Sequence, residues 1–261
     1  MIVQISGLPG AGKSTLASAL AARINAVVWN ADRVRDNLWP DLGFSVEARS
    51  EQARRMGFLA REMSDQGQTV IVDFVCPTGR TREAFGKPDV FIWVDRIDTG
   101  RFEDTNLLWE DPEAFDVRIP FGLTVEEELD LIFAETDLVD WRSPHALMLG
   151  RFQPWHEGHE ALYQEAATRT GQVAVAVRAT SGLSRDPLVY DDVRSRIPHP
   201  TVMQLPNITH VIYGRDVGYT IEQVHLAPEI EEISATVKRK ELGLVGASAC
   251  HSCVGGCHGA E

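Results

Sequence analysis

Apolar runs and amphipathic stretches alternate along the first half of the chain. Residues 2–5 form a short run with β-branched members and predict a strand. Residues 14–24 place Leu16, Leu20 and Ile24 at helical spacing. Residues 26–29 are strand-like. Residues 46–66 predict a helix with Met56, Ala60 and Met63 on one face and Gly67 as its stop. Residues 69–75 and Val90–Asp95 are β-branched apolar runs, the signature of strands covered on both faces in a parallel sheet. Thr124-Val-Glu-Glu127 is a capping box that opens a helix running to about residue 135.

Residues 136–145 break the pattern: they are polar, with Pro144 near the end. A second β–loop–helix start follows, with a strand at 146–149, a glycine-bearing loop and a helix at Glu157–Thr170. Further strands are expected at 173–177, Val202–Leu205 and 210–213. The organisation read from this pattern is a first α/β domain over residues 1–138 and a second over 145–242. Residues 243–261 form a tail with five glycines and almost no large apolar side chain, which cannot bury a core and is read as disordered unless it binds something.

Composition narrows the partners. The 25 basic and 38 acidic residues leave a formal charge of −13, which argues against a protein that wraps a nucleic-acid backbone. No apolar run approaches the length of a bilayer span, and the start MIVQISGLPG carries no basic region or cleavage pattern of a leader. Four cysteines are too few for a disulfide scaffold of this size, so a reducing, cytoplasmic compartment is expected.

Gly7-Leu-Pro9-Gly10-Ala11-Gly12-Lys13-Ser14, followed by Thr15, fits the phosphate-cradling pattern G-x-x-x-x-G-K-[ST] between a predicted strand and a predicted helix. Glycines let backbone N–H groups turn inward to phosphate oxygens, and the helix N-terminus adds partial positive charge. Lys13 is expected to reach the β- and γ-phosphates of ATP, and Ser14 to hold Mg²⁺. After the second strand comes Asn30-Ala-Asp32-Arg33-Val-Arg35. Asp32 is expected at Mg²⁺ together with Ser14 and could orient an acceptor hydroxyl or a Mg²⁺-bound water, and Arg35 could hold an anionic substrate. Asp73 is either a carboxylate on the Mg²⁺ side or an ordinary buried, paired acid.

The series GLPGAGKST, NADRVR, LGFSVEAR and EQARR, in that order over about residues 1–85, resembles adenylylsulfate (APS) kinase. The resemblance implies a P-loop parallel-sheet fold and phosphoryl transfer from ATP to a 3′-hydroxyl. Arg35 and Arg49 would then contact the phosphosulfate, Phe44 would stack on the adenine, and Asp32 would lie near the accepting hydroxyl. The sequence departs from the family at Asn30, Gln52 and Asp73. The family's basic lid is replaced by Arg101-Phe-Glu-Asp-Thr-Asn106. Arg54 and Arg55 read equally as solvated helix charges.

Gly150-Arg151-Phe152-Gln-Pro-Trp-His156-Glu-Gly158-His159 resembles the HxGH nucleotidyltransferases, with a flank close to nicotinamide mononucleotide adenylyltransferases. This implies a Rossmann-like domain in which His156 and His159 stabilise charge on an α-phosphate, with Gly158 allowing a tight turn that faces both rings to it. Ile233-Ser234-Ala-Thr236-Val-Lys-Arg239 is similar to that superfamily's ISxTxxR box: Ser234 and Thr236 would cap a helix at the terminal phosphates, and Arg239 would add charge. On its own the segment reads as an ordinary Ser-capped helix. The 186–194 stretch and Tyr213-Gly-Arg215-Asp216-Val-Gly218-Tyr219 are looser likenesses, to an adenylyltransferase NPFxxxER segment and an ATP sulfurylase loop. Cys250, His251, Cys253, Cys257 and His258 supply five soft donors that could bind Zn²⁺ or belong to a flexible appendage.

The combined expectation is a bifunctional transferase, a kinase joined to a nucleotidyltransferase. Both halves would require Mg²⁺ and take ATP and small anionic substrates, without nucleic acid or membrane, and with homo-oligomerisation left open. A kinase/adenylyltransferase of nicotinamide nucleotide metabolism, or a nucleotide sensor with one degenerate site, are the alternatives.

Overall fold

The computed structural model describes residues 1–182, 186–212, 214–215, 218, 220–233 and 235–244. Contacts within the chain separate it into two compact units, Met1–Arg142 and Ser143 onward.

The first unit is built on β1 (Ile2–Gly7), whose six residues are all buried. β1 lies at the centre of a five-stranded parallel sheet with β2 (Val27–Asn30), β3 (Val70–Asp73), β4 (Val90–Asp95) and β5 (Val117–Pro120), in the order β2-β3-β1-β4-β5. Its neighbours arrive late in the chain: Ile2 pairs with Val70 and Val3 with Val90. Burial on both faces explains the β-branched runs without polar alternation. One face packs against α1 (Lys13–Ile24) and α6 (Val125–Glu135) through Val3, Ile5, Leu16, Leu20, Leu129 and Ile132. The other packs against α2 (Ala31–Leu38), α3 (Val46–Asp65) and α4 (Gly79–Phe85) through Val34, Met56, Ala60, Val72 and Phe85. α5 (Glu103–Leu108) follows β4. The capping box at Thr124 forms as a reciprocal pair with Glu127. Residues 136–145 hold no regular element, and Arg23 fastens this stretch with a two-pronged pair to Asp140, at 2.8 and 2.5 Å.

The second unit has a three-stranded parallel sheet, β6 (Ala146–Gly150), β7 (Val173–Arg178) and β8 (Val202–Leu205), with β7 central and buried. α7 (Glu157–Thr170) follows β6, and α8 (Tyr190–Arg194), α9 (Pro228–Glu231) and α10 (Ala235–Glu241) complete the described helices. The strand expected at 210–213 does not form at 210–212, where Val211 and Ile212 are exposed and pair with no strand among the described residues. β-Branched residues favour a strand only where an edge is offered to pair with. Tyr213 lies outside the described residues, as does the Cys/His tail from 245 on. Among the described residues no helix is long and apolar enough to cross a membrane.

Candidate active sites

The loop after β1 turns into α1 through Gly12, which sits at φ 89°. A side chain there would be strained, and its Cβ would lie 2.2 Å from Arg96 Nη1. Arg96 supports the loop from behind: Nη1 donates to the Ala11 carbonyl at 3.0 Å, and Nη2 pairs with the buried carboxylate of Glu128 on α6. Burial raises the Glu128 carboxyl above the ordinary range, and the Arg96 charge opposes that rise. No sequence motif marks this strut, because its two halves are 32 residues apart and meet only in the folded unit.

The loop opens onto a cavity of about 700 Å³. Pro9, Gly10, Gly12, Lys13, Ser14, Thr15, Asp32, Arg35, Phe44 and Arg49 all line it, so the sequence-derived site residues of the first half converge, while Gly7 and Ala11 lie in the strand end and loop behind them. Lys13 is buried and Nζ donates to the Leu8 carbonyl at 3.0 Å. Burial lowers its pKa, while Asp73 and Asp32 act against that shift.

Asp73, at the end of β3 and 1% exposed, is the residue whose placement adds most. The Ser14 hydroxyl donates to Asp73 Oδ2 at 2.6 Å, and Asn30 Nδ2 donates to the same oxygen at 2.8 Å. Asp73 is therefore both a buried, paired acid and a carboxylate at the hydroxyl expected to meet Mg²⁺. Asp32 stands in the first turn of α2, close enough to Lys13 and Arg35 to favour the charged form of each. Hydroxyl, carboxylate and amide oxygens are the hard donors that suit Mg²⁺, which takes one or two protein ligands and completes its shell with phosphate and water. Among the described residues no group of three or more His, Cys, Asp or Glu side chains could hold a metal by itself.

Across the cavity, Phe44 is 62% exposed and carries the guanidiniums of Arg35 and Arg49 at 4.5 and 5.5 Å from its centroid. Gln52 is buried and donates to the Ala31 carbonyl at 3.0 Å, fixing α3 to α2. Arg54 and Arg55 both pair with Glu51 and do not line the cavity. Arg101, which the sequence reading left without a role, does line it: its N–H donates to the Pro9 carbonyl at 3.2 Å, beside the phosphate loop. The clue in the sequence was its position at the head of the segment replacing a basic lid.

In the second unit His156 and His159 stack with centroids 3.8 Å apart and planes at 27°. His156 caps α7, and its Nδ1 accepts from the Gly158 N–H at 3.2 Å. That contact places the ring proton of the neutral form on Nε2. Gly158 makes no tight turn. It lies within the first turn of α7, and its use is room: a Cβ there would press on the His156 ring at 3.1 Å. His159 sits against Phe152 and Trp155, and its Nδ1 has no hydrogen-bond partner among the described residues. Burial, followed by the neighbouring His156, pulls its pKa down to about 4.

Gly150 ends β6, and Arg151 reaches Asp186 at 3.4 Å. Arg239 Nη1 donates to the Gln153 carbonyl at 2.6 Å and Nη2 to Thr236 Oγ1 at 3.0 Å, which brings the second box to the first. Thr236 is thus the second residue of α10 and bonded to Arg239, rather than its cap. Ser234, Asp216 and Tyr219 lie outside the described residues. Asp186 through Arg194 runs into α8, and Arg215 is exposed.

Residues 1–88 match the adenylylsulphate kinase family. An adenylyl-sulfate kinase of Shewanella baltica (strain OS155) is 42% identical over 89 residues, which cover 32% of this chain and 43% of that protein. One from Shewanella amazonensis is 44% identical over 87 residues, covering 31% and 44%. The chain thus spans less than half the length of these relatives. Among solved structures, the Mycobacterium tuberculosis APS kinase in complex with AMPPNP and APS is 21% identical at a TM-score of 0.44, over 51% of this chain and 95% of that one. A hexameric APS kinase from Thiobacillus denitrificans is 31% identical at 0.41, over 51% and 28%.

Proposed function

We propose that the first unit is an ATP-dependent small-molecule kinase, with adenylylsulfate as the leading acceptor, and that the second is a nucleotidyltransferase that releases pyrophosphate. The observation that carries the kinase reading is the convergence of Lys13, Ser14, Asp32 and Asp73 with Arg35, Phe44 and Arg49 around one cavity. Its lining is cationic at the phosphate loop and aromatic opposite, as a nucleotide-like acceptor facing ATP requires.

The loop amides and Lys13 hold the β- and γ-phosphates in place, and Arg101 adds charge at the loop's outer side. Ser14 and Asp73 would hold Mg²⁺, which when bound neutralises charge on the β- and γ-phosphates. Asp32 orients the acceptor hydroxyl and takes its proton as the oxygen bonds to the γ-phosphorus and ADP departs. Arg35 and Arg49 position the acceptor's anionic end, and Phe44 its base.

The stacked pair His156 and His159 supports the second activity. Both are neutral near pH 7, so they serve as hydrogen-bond donors to a nucleoside triphosphate rather than as fixed cations. Arg239 brings positive charge to the same turn. No covalent intermediate is needed: the acceptor anion bonds to the α-phosphorus and pyrophosphate leaves.

Mass spectrometry of the full chain with ATP, Mg²⁺ and adenylylsulfate tests the first half. 3′-Phospho-adenylylsulfate should form and should vanish in Lys13→Ala. Tight ATP binding with no turnover of any hydroxyl acceptor would instead favour a nucleotide sensor. Pyrophosphate release with nicotinamide mononucleotide, sulfate or a sugar phosphate tests the second. A His159→Ala protein that keeps its release rate removes the HxGH assignment.

A further inference from the structure

The segment standing where a basic lid would be expected carries an acid to the acceptor side of the first cavity. Asp104, in the first turn of α5, receives a hydrogen bond from Arg49 Nη2 at 2.7 Å. Arg49 also donates through Nη2 to Thr105 Oγ1 at 3.2 Å and through Nε to the Phe44 carbonyl at 2.9 Å. Its neighbour Arg35 donates Nη1 to the carbonyls of Leu42 and Gly43. Both guanidiniums that face the acceptor are thus engaged by oxygens of the protein, and one of those oxygens carries a full charge. Asp104 lines the same cavity as Arg49 and Asp32, unlike Glu51, whose pairs with Arg54 and Arg55 lie off it.

We propose that Asp104 tunes acceptor choice in the first unit through Arg49. Its carboxylate occupies the guanidinium that an acceptor's phosphate or sulfate group would use. Asp104 therefore lowers, without reversing, the cavity's preference for an acceptor with a strongly anionic far end, such as adenylylsulfate, over hydroxyl acceptors that leave the Arg49–Asp104 pair closed. The inference rests on the kinase reading of this cavity and adds to it a residue that tunes the choice of acceptor.

The physical case follows from the exposure of the two partners, 11% for the Arg49 side chain and 63% for that of Asp104. An exposed carboxylate can swing away, so the pair is no rigid barrier. Yet an anion that displaces Asp104 exchanges one charge-assisted bond at Arg49 for another and gains little. An anion that settles beside it brings like charges together. In both cases the net attraction of Arg49 for the acceptor is reduced. A neutral hydroxyl group meets neither cost and can donate to the Asp104 carboxylate.

The test is calorimetric titration of the full chain with adenylylsulfate and, separately, with adenosine, which shares the base and ribose but carries no anion. Wild type is compared with Asp104→Asn, which keeps the shape without the charge, and with Asp104→Glu, which keeps the charge. The ratio of adenylylsulfate to adenosine affinity should rise about 10-fold in Asp104→Asn, the worth of one charge-assisted bond regained, and stay at the wild-type value in Asp104→Glu. An unchanged ratio in Asp104→Asn overturns the proposal, as does failure of adenylylsulfate to bind either protein. These titrations contain no ATP. A protein that does not bind ATP would remove the kinase reading while leaving the Asp104 comparison intact.

Discussion

Replacing Asp73 by Asn probes the centre of the kinase reading, because one oxygen there serves two donors. Oδ2 accepts from Ser14 at 2.6 Å and from Asn30 at 2.8 Å at the buried wall of the cavity. An asparagine offers one acceptor oxygen and an NH₂ group that cannot accept. With its amide oxygen in the place of Oδ2 it keeps both bonds but without the charge, at about 1 kcal/mol for charge-assisted bonds made neutral. That corresponds to a fall in Tm of roughly 2–4 °C per kcal/mol for a unit of this size. The Mg²⁺ dependence should move further than the stability. With the carboxylate gone, the midpoint of the Mg²⁺ titration should rise at least ~10-fold and kcat/KM fall by about 10- to 100-fold, or ~1.4–2.7 kcal/mol of transition-state stabilisation. The loss should also be pH-dependent. Burial already lowers the Lys13 pKa, and Asp73 is the foremost charge opposing that shift. Without it the ammonium gives up its proton at lower pH, so the alkaline limb of the rate profile should move to lower pH. The assay is ADP release against Mg²⁺ and pH, with a thermal melt alongside. A variant with the wild-type rate and Mg²⁺ midpoint, and only the Tm lowered, would refute the metal-side role and leave Asp73 as a structural acid.

Three further outcomes follow from other parts of the molecule. Arg96→Met should lower the stability of the first unit by about 3–5 kcal/mol, since it strands the buried Glu128 carboxylate; denaturant unfolding of the variant, set beside Glu128→Gln/Arg96→Met, checks this, and the double variant should recover part of the loss. Gly12→Ala should cost about 1–3 kcal/mol through the positive φ and also remove nucleotide binding, which titration with an ATP analogue reads directly. His159 holds a folded pKa of about 4 against an ordinary value of 6.5. Its neutral form thus stabilises the fold above pH 6.5, and this contribution is lost as pH falls towards 4, because the unfolded chain takes up the proton first. Melts of wild type between pH 7 and 4 should fall more steeply than those of His159→Asn; parallel curves would contradict the burial argument.

The sequence made the first unit legible where local and global signals agree. Ile2 to Ser14 reads as strand, glycine loop and helix because the apolar run, the positive-φ glycine and the lysine each demand that order. α2 went unread: its eight residues carry only Val34, Ala31 and the stem of Arg35 to the core, too few for a visible stripe. β5 was missed for a related reason, since Val117 and Ile119 alternate with Arg118 and Pro120 over only four residues. At the site, Lys13 and Ser14 are fixed by their motif. The Asp73–Asn30 contact depends on β2 and β3 lying side by side with Asn30 opposite Asp73, a register no local spacing reveals. The same holds for Asp104, which meets Arg49 from 55 residues away. In the second unit, β-branching at 210–212 misled because propensity says nothing about whether a neighbouring edge exists.

The central place of β1 bears on how the chain is born. Its partners begin at Val70 and Val90, so β1 leaves a ribosome well before either strand that flanks it. Until β3 has emerged the apolar strand has no partner, and until β4 has emerged it is paired on one side only. Truncated chains ending short of β4 should therefore be sticky, chaperone-dependent species that capture nucleotide poorly.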